Sequence, residues 1–285
     1  MTGRTSVRRV VWALVPVELP LLIAAAAGVP LPRAVVLFAR VLVVGAVVLE
    51  AVLLSRGYAA ARRRGREPRA ALREAAYALF PRVPVRLVAH EVRCLRSVWL
   101  WVRRRRHGLG PGDHAAGYTA PQSAMVWSFI GLSVVETVAL AFLIPWPPVH
   151  LILLCVGVYG TVLMVGMHAS CVVRPHVAGA DGSLRLRYGA LFDLRIPAED
   201  IVRVRIDRRF PSGSLVNAHD DGSIDLIVGG QTTVAVDLAA PVTYTRPLGR
   251  TGTARTVRFH ADDPKALLAA LGGGPRADGT ERRAA

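Results

Sequence analysis

Four stretches of the chain are apolar over a length suited to crossing a membrane: residues 10–28, 34–54, 124–144 and 149–173. A helix spanning the hydrocarbon core needs ~20 such residues, within a range of ~17–25. Pro30-Leu31-Pro32 separates the first two stretches, and Pro145-Trp146-Pro147-Pro148 the second two. These breaks are too short to hold a domain, and proline cannot continue a helix. The pattern predicts four transmembrane helices arranged as two tight hairpins. A hydrophobic content of 52% and a mean hydropathy of +0.38 agree, since both are high for a soluble domain.

The charge gives the hairpins an orientation. Arg4, Arg8 and Arg9 precede the first stretch, and fifteen arginines against Glu67, Glu74 and Glu91 fill residues 56–108. The two hairpin tips carry only Arg33 and His150. Basic residues collect on the cytoplasmic side, so both termini and the middle segment are expected there, in a multi-pass protein of the cell membrane. Arg8-Arg9 before "AAAAG" has the outline of a signal peptide, but Pro16, Glu18 and Pro20 interrupt it and a second apolar stretch follows. Cys94, Cys155 and Cys171 are odd in number and widely spaced, which argues against a disulfide framework.

Two of the four stretches contain a carboxylate. A gapless shift of 118 residues places Glu18 on Glu136, Pro30 on Pro148 and Glu50 on His168, which suggests an internal repeat. Each glutamate then lies ~18 Å from its tip prolines, near mid-membrane, where a charge costs at least ~2.5–3.5 kcal/mol. Arg40, ~12 Å below the first tip, is the expected partner of both. The cluster Glu18, Arg40 and Glu136 reads either as glue between helices or as a proton or ion site. Glu50 and His168 would form a second polar pair at the inner ends.

The middle segment has helical periodicity. Ala71, Leu72, Ala75, Ala76, Leu79 and Phe80 share one face, and after Pro81 and Pro84 so do Leu87, Val88, Val92, Leu95, Val98, Trp99 and Val102. Arg86, Arg93 and Arg96 lie largely opposite, and Arg103, Arg104, Arg105 and Arg106 follow. A basic amphipathic helix tethered between spans suits anionic phospholipid at the inner leaflet better than nucleic acid. His90 and Cys94 share the spacing of a zinc helix but lack its other ligands, so no metal and no cofactor is expected. Residues 108–122 read as a structural return loop without the spacing of a phosphate-binding loop.

Beyond residue 173 the texture changes to short alternating or β-branched runs: "SLRLRYG", "ALFDLRI", "IVRVRI", "SIDLIVG", "TTVAVDL" and "TARTVRFHA". A last helix opens at Asp262 or Asp263 with Pro264 at its first position. Alternation places Arg185 and Arg187, and Arg203 and Arg205, on faces opposite Leu184, Leu186, Val202, Val204 and Ile206. This is a solvated sheet face or a basic patch. The run "LRLRYGALFDLRIPAEDIVRVRI", residues 184–206, resembles the bacterial PH-like domains of membrane proteins, and the whole chain resembles uncharacterised actinobacterial multi-pass membrane proteins.

That resemblance implies a binding module and supplies no catalytic residues. The expectation is an α+β membrane protein: a first hairpin (1–56), a basic amphipathic-helical segment with its return loop (57–122), a second hairpin (123–173), a PH-like antiparallel β domain closed by a helix (174–272) and a disordered tail (273–285). No nucleophile–base pair, metal set or phosphate loop supports an enzyme. The expected function is membrane-anchored binding or scaffolding, with an anionic lipid or an unidentified protein as partner. The alternative is a proton- or ion-coupled carrier or channel using Glu18 and Glu136. The oligomeric state stays open, a homo-oligomer included.

Overall fold

The computed structural model describes residues 32–272 except residue 248. Glu18, the first stretch and the tail lie outside the described residues. The chain divides into two compact units, residues 1–89 with 139–155 and residues 90–138 with 156–285.

In the first unit, α1 (Arg33–Arg63) is followed by α2 (Pro68–Leu79). Gly65, at φ 76°, makes the turn between them, and Pro68 opens α2. The helices approach closely because small residues meet. A side chain at Gly57 would touch Ala75, and Ala61, Ala71 and Ala75 are buried. Arg64 and Glu74 pair at 2.7 Å. Along α1, Leu37, Phe38, Val41, Val44, Val47 and Val48 are exposed, on a face about half the helix wide.

The second unit begins within α3 (Arg82–Val102), which starts after Pro81 as its prolines dictate. Then come β1 (His114–Ala116), α4 (Ala120–Leu143) and α5 (Pro147–Val172), of which residues 139–155 are counted with the first unit. Helices α4 and α5, 24 and 26 residues long with hydropathies of 1.9 and 2.2, are long and apolar enough to cross a membrane. Among the described residues only these two qualify, so the expected four spans reduce to two here. Residues 34–54 are helical within a 31-residue helix but are not one of them.

Helices α4 and α5 meet through small side chains. Ser133 and Thr137 on α4 face Thr161 and Gly157 on α5. The Ser133 and Thr161 hydroxyls are 3.0 Å apart, and Thr137 covers the place where Gly157 has no Cβ. Within lipid there is no hydrophobic drive between helices, and small residues four apart let backbones approach.

The β domain consists of β2 (His176–Ala178), β3 (Leu184–Tyr188), β4 (Phe192–Ile196), β5 (Ile201–Arg209), β6 (Val216–Ala218), β7 (Ser223–Leu226), β8 (Thr232–Thr245) and β9 (Thr251–Phe259), closed by α6 (Pro264–Gly272). One sheet has the order β1-β2-β3-β4, the other β5-β8-β9-β7-β6. Pairing is antiparallel except for the parallel β7–β9 pair, which corrects the all-antiparallel expectation. Leu184, Leu186, Ile196, Ile224, Val257 and Phe259 are buried in one core built from both sheets. Asp263 caps α6 through the Ala266 amide at 3.0 Å, while Asp262 accepts the Ala120 amide at the start of α4.

Strand β1 lies before the α4–α5 hairpin and β2 after it, yet they pair, with Ala116 opposite His176. The β domain therefore does not start at residue 174: the return loop contributes an edge strand. Sheet spacing of ~4.8 Å fixes the separation of the two chain segments entering and leaving the hairpin.

Candidate functional site

The joint between the hairpin and the β domain concentrates the chain's buried polar groups. His176 follows the end of α5 and is fully buried. Its Nδ1 accepts the Arg187 amide at 3.0 Å, so its Nε2–H donates to the His260 carbonyl at 3.1 Å. The ring stacks on Tyr118 at 4.5 Å and meets Phe259 edge-on at 5.1 Å. Burial, aided by the neighbouring Arg187 and opposed by the bond to the His260 carbonyl, holds the imidazole down at about 3. Tyr118, from the return loop, is also fully buried and its hydroxyl accepts the Gly189 amide at 2.7 Å. Burial raises its phenol well above the ordinary value.

Arg187 corrects the expectation of a single basic face on β3. It is 1% exposed because residues from the end of the α3–β1 loop lie across that face. Its Nε donates to Pro175 O and its Nη1 to His107 O, each at 2.8 Å. The guanidinium is thus a clamp on two backbone segments, and burial lowers it to about 10. Arg185 remains on the surface, held by Asp193 at 2.8 Å through Nε. On the edge strand β5, Arg203 is exposed, while Arg205 pairs with Asp237. Val202 and Ile206 are themselves 64% and 49% exposed, so the apolar side of that strand is not covered as expected.

Helix α3 is amphipathic in the sense expected, but its apolar face is not packed. It buries Cys94 and Ser97, with Cys94 against the backbone gap left by Gly166 of α5. Arg174 reaches back from the end of α5 to Ser97 Oγ at 2.7 Å. Val88, Val92, Trp99 and Val102 are 56–69% exposed. Arg86, Arg93, Arg96 and Arg103–Arg106 are exposed as well, and Arg103 sits 3.9 Å over the Trp99 ring. His90 and Cys94 do meet, with 3.4 Å between Nε2 and Sγ, but among the described residues no group of three could hold a metal.

A cavity of about 420 Å³ runs from the β3–β4 turn along α4 and α5. Gln122, Tyr188 and Gly189 line one end, and Glu136 lies ~21 Å further along α4. Phe129, Leu132, Met164 and Met167 form much of the wall. His168 also lines it, 6% exposed, with its ring edge-on to Trp127 at 5.4 Å and Trp101 at 6.1 Å. Glu136 is exposed within its unit, and among the described residues no ion pair reaches it. The expected Glu136–Arg40 and Glu50–His168 pairs join residues of different units. Arg40 belongs to α1, with its side chain outside the described residues, and Glu50 is half-buried on α1.

A second polar network escaped the sequence reading. Arg258 on β9 bonds Ser223 Oγ at 2.8 Å and lies 3.3 Å from Asp225. His219 takes the other Asp225 oxygen at 2.8 Å. These bonds tie β9 to β7 and to the turn after β6. Neither this network nor Tyr118 and His176 could be found from spacing, because 58 residues and a whole hairpin separate the latter two. Comparison with protein-family models, curated proteins and solved structures finds no match for the chain.

Proposed function

We propose that this protein is a membrane-anchored binding or scaffold protein. In this reading its two hairpins make four spans, both termini are cytoplasmic, and α3 lies in the inner membrane interface. The β domain, which we read as PH-like from the run at residues 184–206, then sits against the inner leaflet and engages an anionic lipid or a protein. The carrying observation is α3: it is fixed to α5 by small residues while a long apolar face flanked by arginines stays uncovered. An uncovered apolar face of this length on a folded chain needs lipid or a partner. The bare face of α1 favours a span at residues 34–54 for the same reason.

The test uses the full chain in nanodiscs. Acyl chains brominated near the headgroup should quench Trp99, identified by difference against Trp99→Phe, and anionic lipid should be enriched around the protein. Replacing Arg103–Arg106 with glutamine should reduce that enrichment, since each basic residue near the surface contributes ~1 kcal/mol. An unquenched Trp99 defeats the reading. Topology has its own check: in intact cells an impermeant thiol reagent should reach a cysteine introduced near Pro147 and should miss one near residue 64 or 220. Labelling at residue 220 would place the β domain outside.

A further inference from the structure

We propose that the cavity along α4 and α5 is a binding site for a hydrophobic organic cation, with Glu136 as its counter-charge. The volume, about 420 Å³, falls within the ~300–1,000 Å³ typical of small-molecule sites. The wall is apolar and polarisable, with Phe129, Leu132, Met164 and Met167, which suits an apolar body and excludes a hydrated ion. Among the lining residues Glu136 is the one carboxylate, and none of the others is lysine or arginine. His90 at the other side does not compete for it as a cation, because burial and then Arg93 hold its imidazole below the ordinary value.

A carboxylate on a helix of this kind, set among apolar walls, is favoured by a positive charge beside it. A ligand bringing that charge, together with its own apolar surface, supplies it. A neutral ligand of equal shape does not, and an anion is repelled. Phe129 adds an aromatic wall against which a cation is further favoured. The opposite end of the cavity is formed by the β3–β4 turn at Gly189–Leu191, so occupancy touches the β domain directly. This site is independent of the scaffold reading, since it requires neither the lipid contact of α3 nor a partner for the β domain.

The experiment is equilibrium dialysis of the purified full chain in a neutral detergent, with tetraphenylphosphonium and the isosteric anion tetraphenylborate as probes. The phosphonium should bind saturably at one site and the borate should not. Glu136→Gln, which keeps the shape and removes the charge, should weaken phosphonium binding at least tenfold. Met164→Trp, which fills the cavity and leaves the carboxylate, should remove binding altogether. Both variants are checked for an unchanged thermal midpoint. Should either fail to fold, the comparison of phosphonium with borate on the unaltered chain still decides. Equal binding of the two probes, unchanged affinity in Glu136→Gln, or no saturable phosphonium binding would overturn the proposal.

Discussion

Lowering the pH from 7 to 4 should destabilise the β domain by roughly 3 kcal/mol through His176 alone. The imidazole titrates near 6.5 in an unfolded chain and is held at about 3 in the fold. Above pH 6.5 neither state binds the proton, and the residue contributes no pH dependence. Between 6.5 and 3 the unfolded chain takes up a proton that the folded chain refuses, so stability falls as the pH falls, by ~1.4 kcal/mol per unit at most. The refusal has a structural cause. Nδ1 is already an acceptor for the Arg187 amide, Tyr118 and Phe259 pack against the ring, and the Arg187 guanidinium opposes a positive charge there. His260, whose imidazole is also lowered by burial, adds a smaller effect of the same sign despite its contact with Asp262. Near-ultraviolet circular dichroism of the full chain, followed through thermal unfolding at pH 4 to 7, measures this. His176→Asn keeps an amide oxygen near the Nδ1 position that can accept from Arg187, but it does not reach the His260 carbonyl and cannot take the charge. It should start from a lower midpoint at pH 7, for loss of the ring stacking, and should have the shallower acid slope. An unchanged slope would assign the acid sensitivity to other groups.

How far the sequence reveals this protein depends on how local each cause is. Hydropathy is a local property, and the stretches at 124–144 and 149–173 became α4 and α5 within a few residues. Alternation is also local, so β3, β4 and β8 were legible in "LRLRY", "FDLRI" and "TTVAVDL", and β5, β7 and β9 in "IVRVRI", "SIDLIVG" and "TARTVRFHA". Strand β1 is three residues long and its one pairing is with β2 across an inserted hairpin, a cause 60 residues away. Arg187 shows the same limit: period-two logic exposes it, while a loop from a distant part of the chain supplies the His107 carbonyl that joins Pro175 O in binding it. Glu136 was conspicuous as a carboxylate in an apolar run. What it faces is a matter of packing, and the cavity beside it is assembled from α3, α4, α5 and the β3–β4 turn.

Gly157→Leu should separate α4 from α5 and prevent the hairpin from reaching its native packing. A Cβ at residue 157 would lie 2.8 Å from Thr137 Cγ2 and closer still to its Oγ1. Thr137 cannot turn away without loss, because Oγ1 donates to the Ser133 carbonyl at 2.7 Å and β-branching restricts its rotamers. Overpacking of this kind costs ~1–3 kcal/mol in ordinary cores. Here it also pushes apart the Ser133–Thr161 contact one turn away, which polar contacts between helices in lipid make worth a further ~0.6 kcal/mol. Gly160 is the control: nothing lies within 4 Å of the Cβ it would gain, so Gly160→Leu should be tolerated. Thr137→Ala removes the obstructing atoms and should recover part of the loss when combined with Gly157→Leu, although it is mildly destabilising alone. Thermal unfolding of the four variants in one detergent gives the coupling between the positions. Additive effects of Gly157→Leu and Thr137→Ala, or equal losses at Gly157 and Gly160, would show that α4 and α5 do not meet through these small residues.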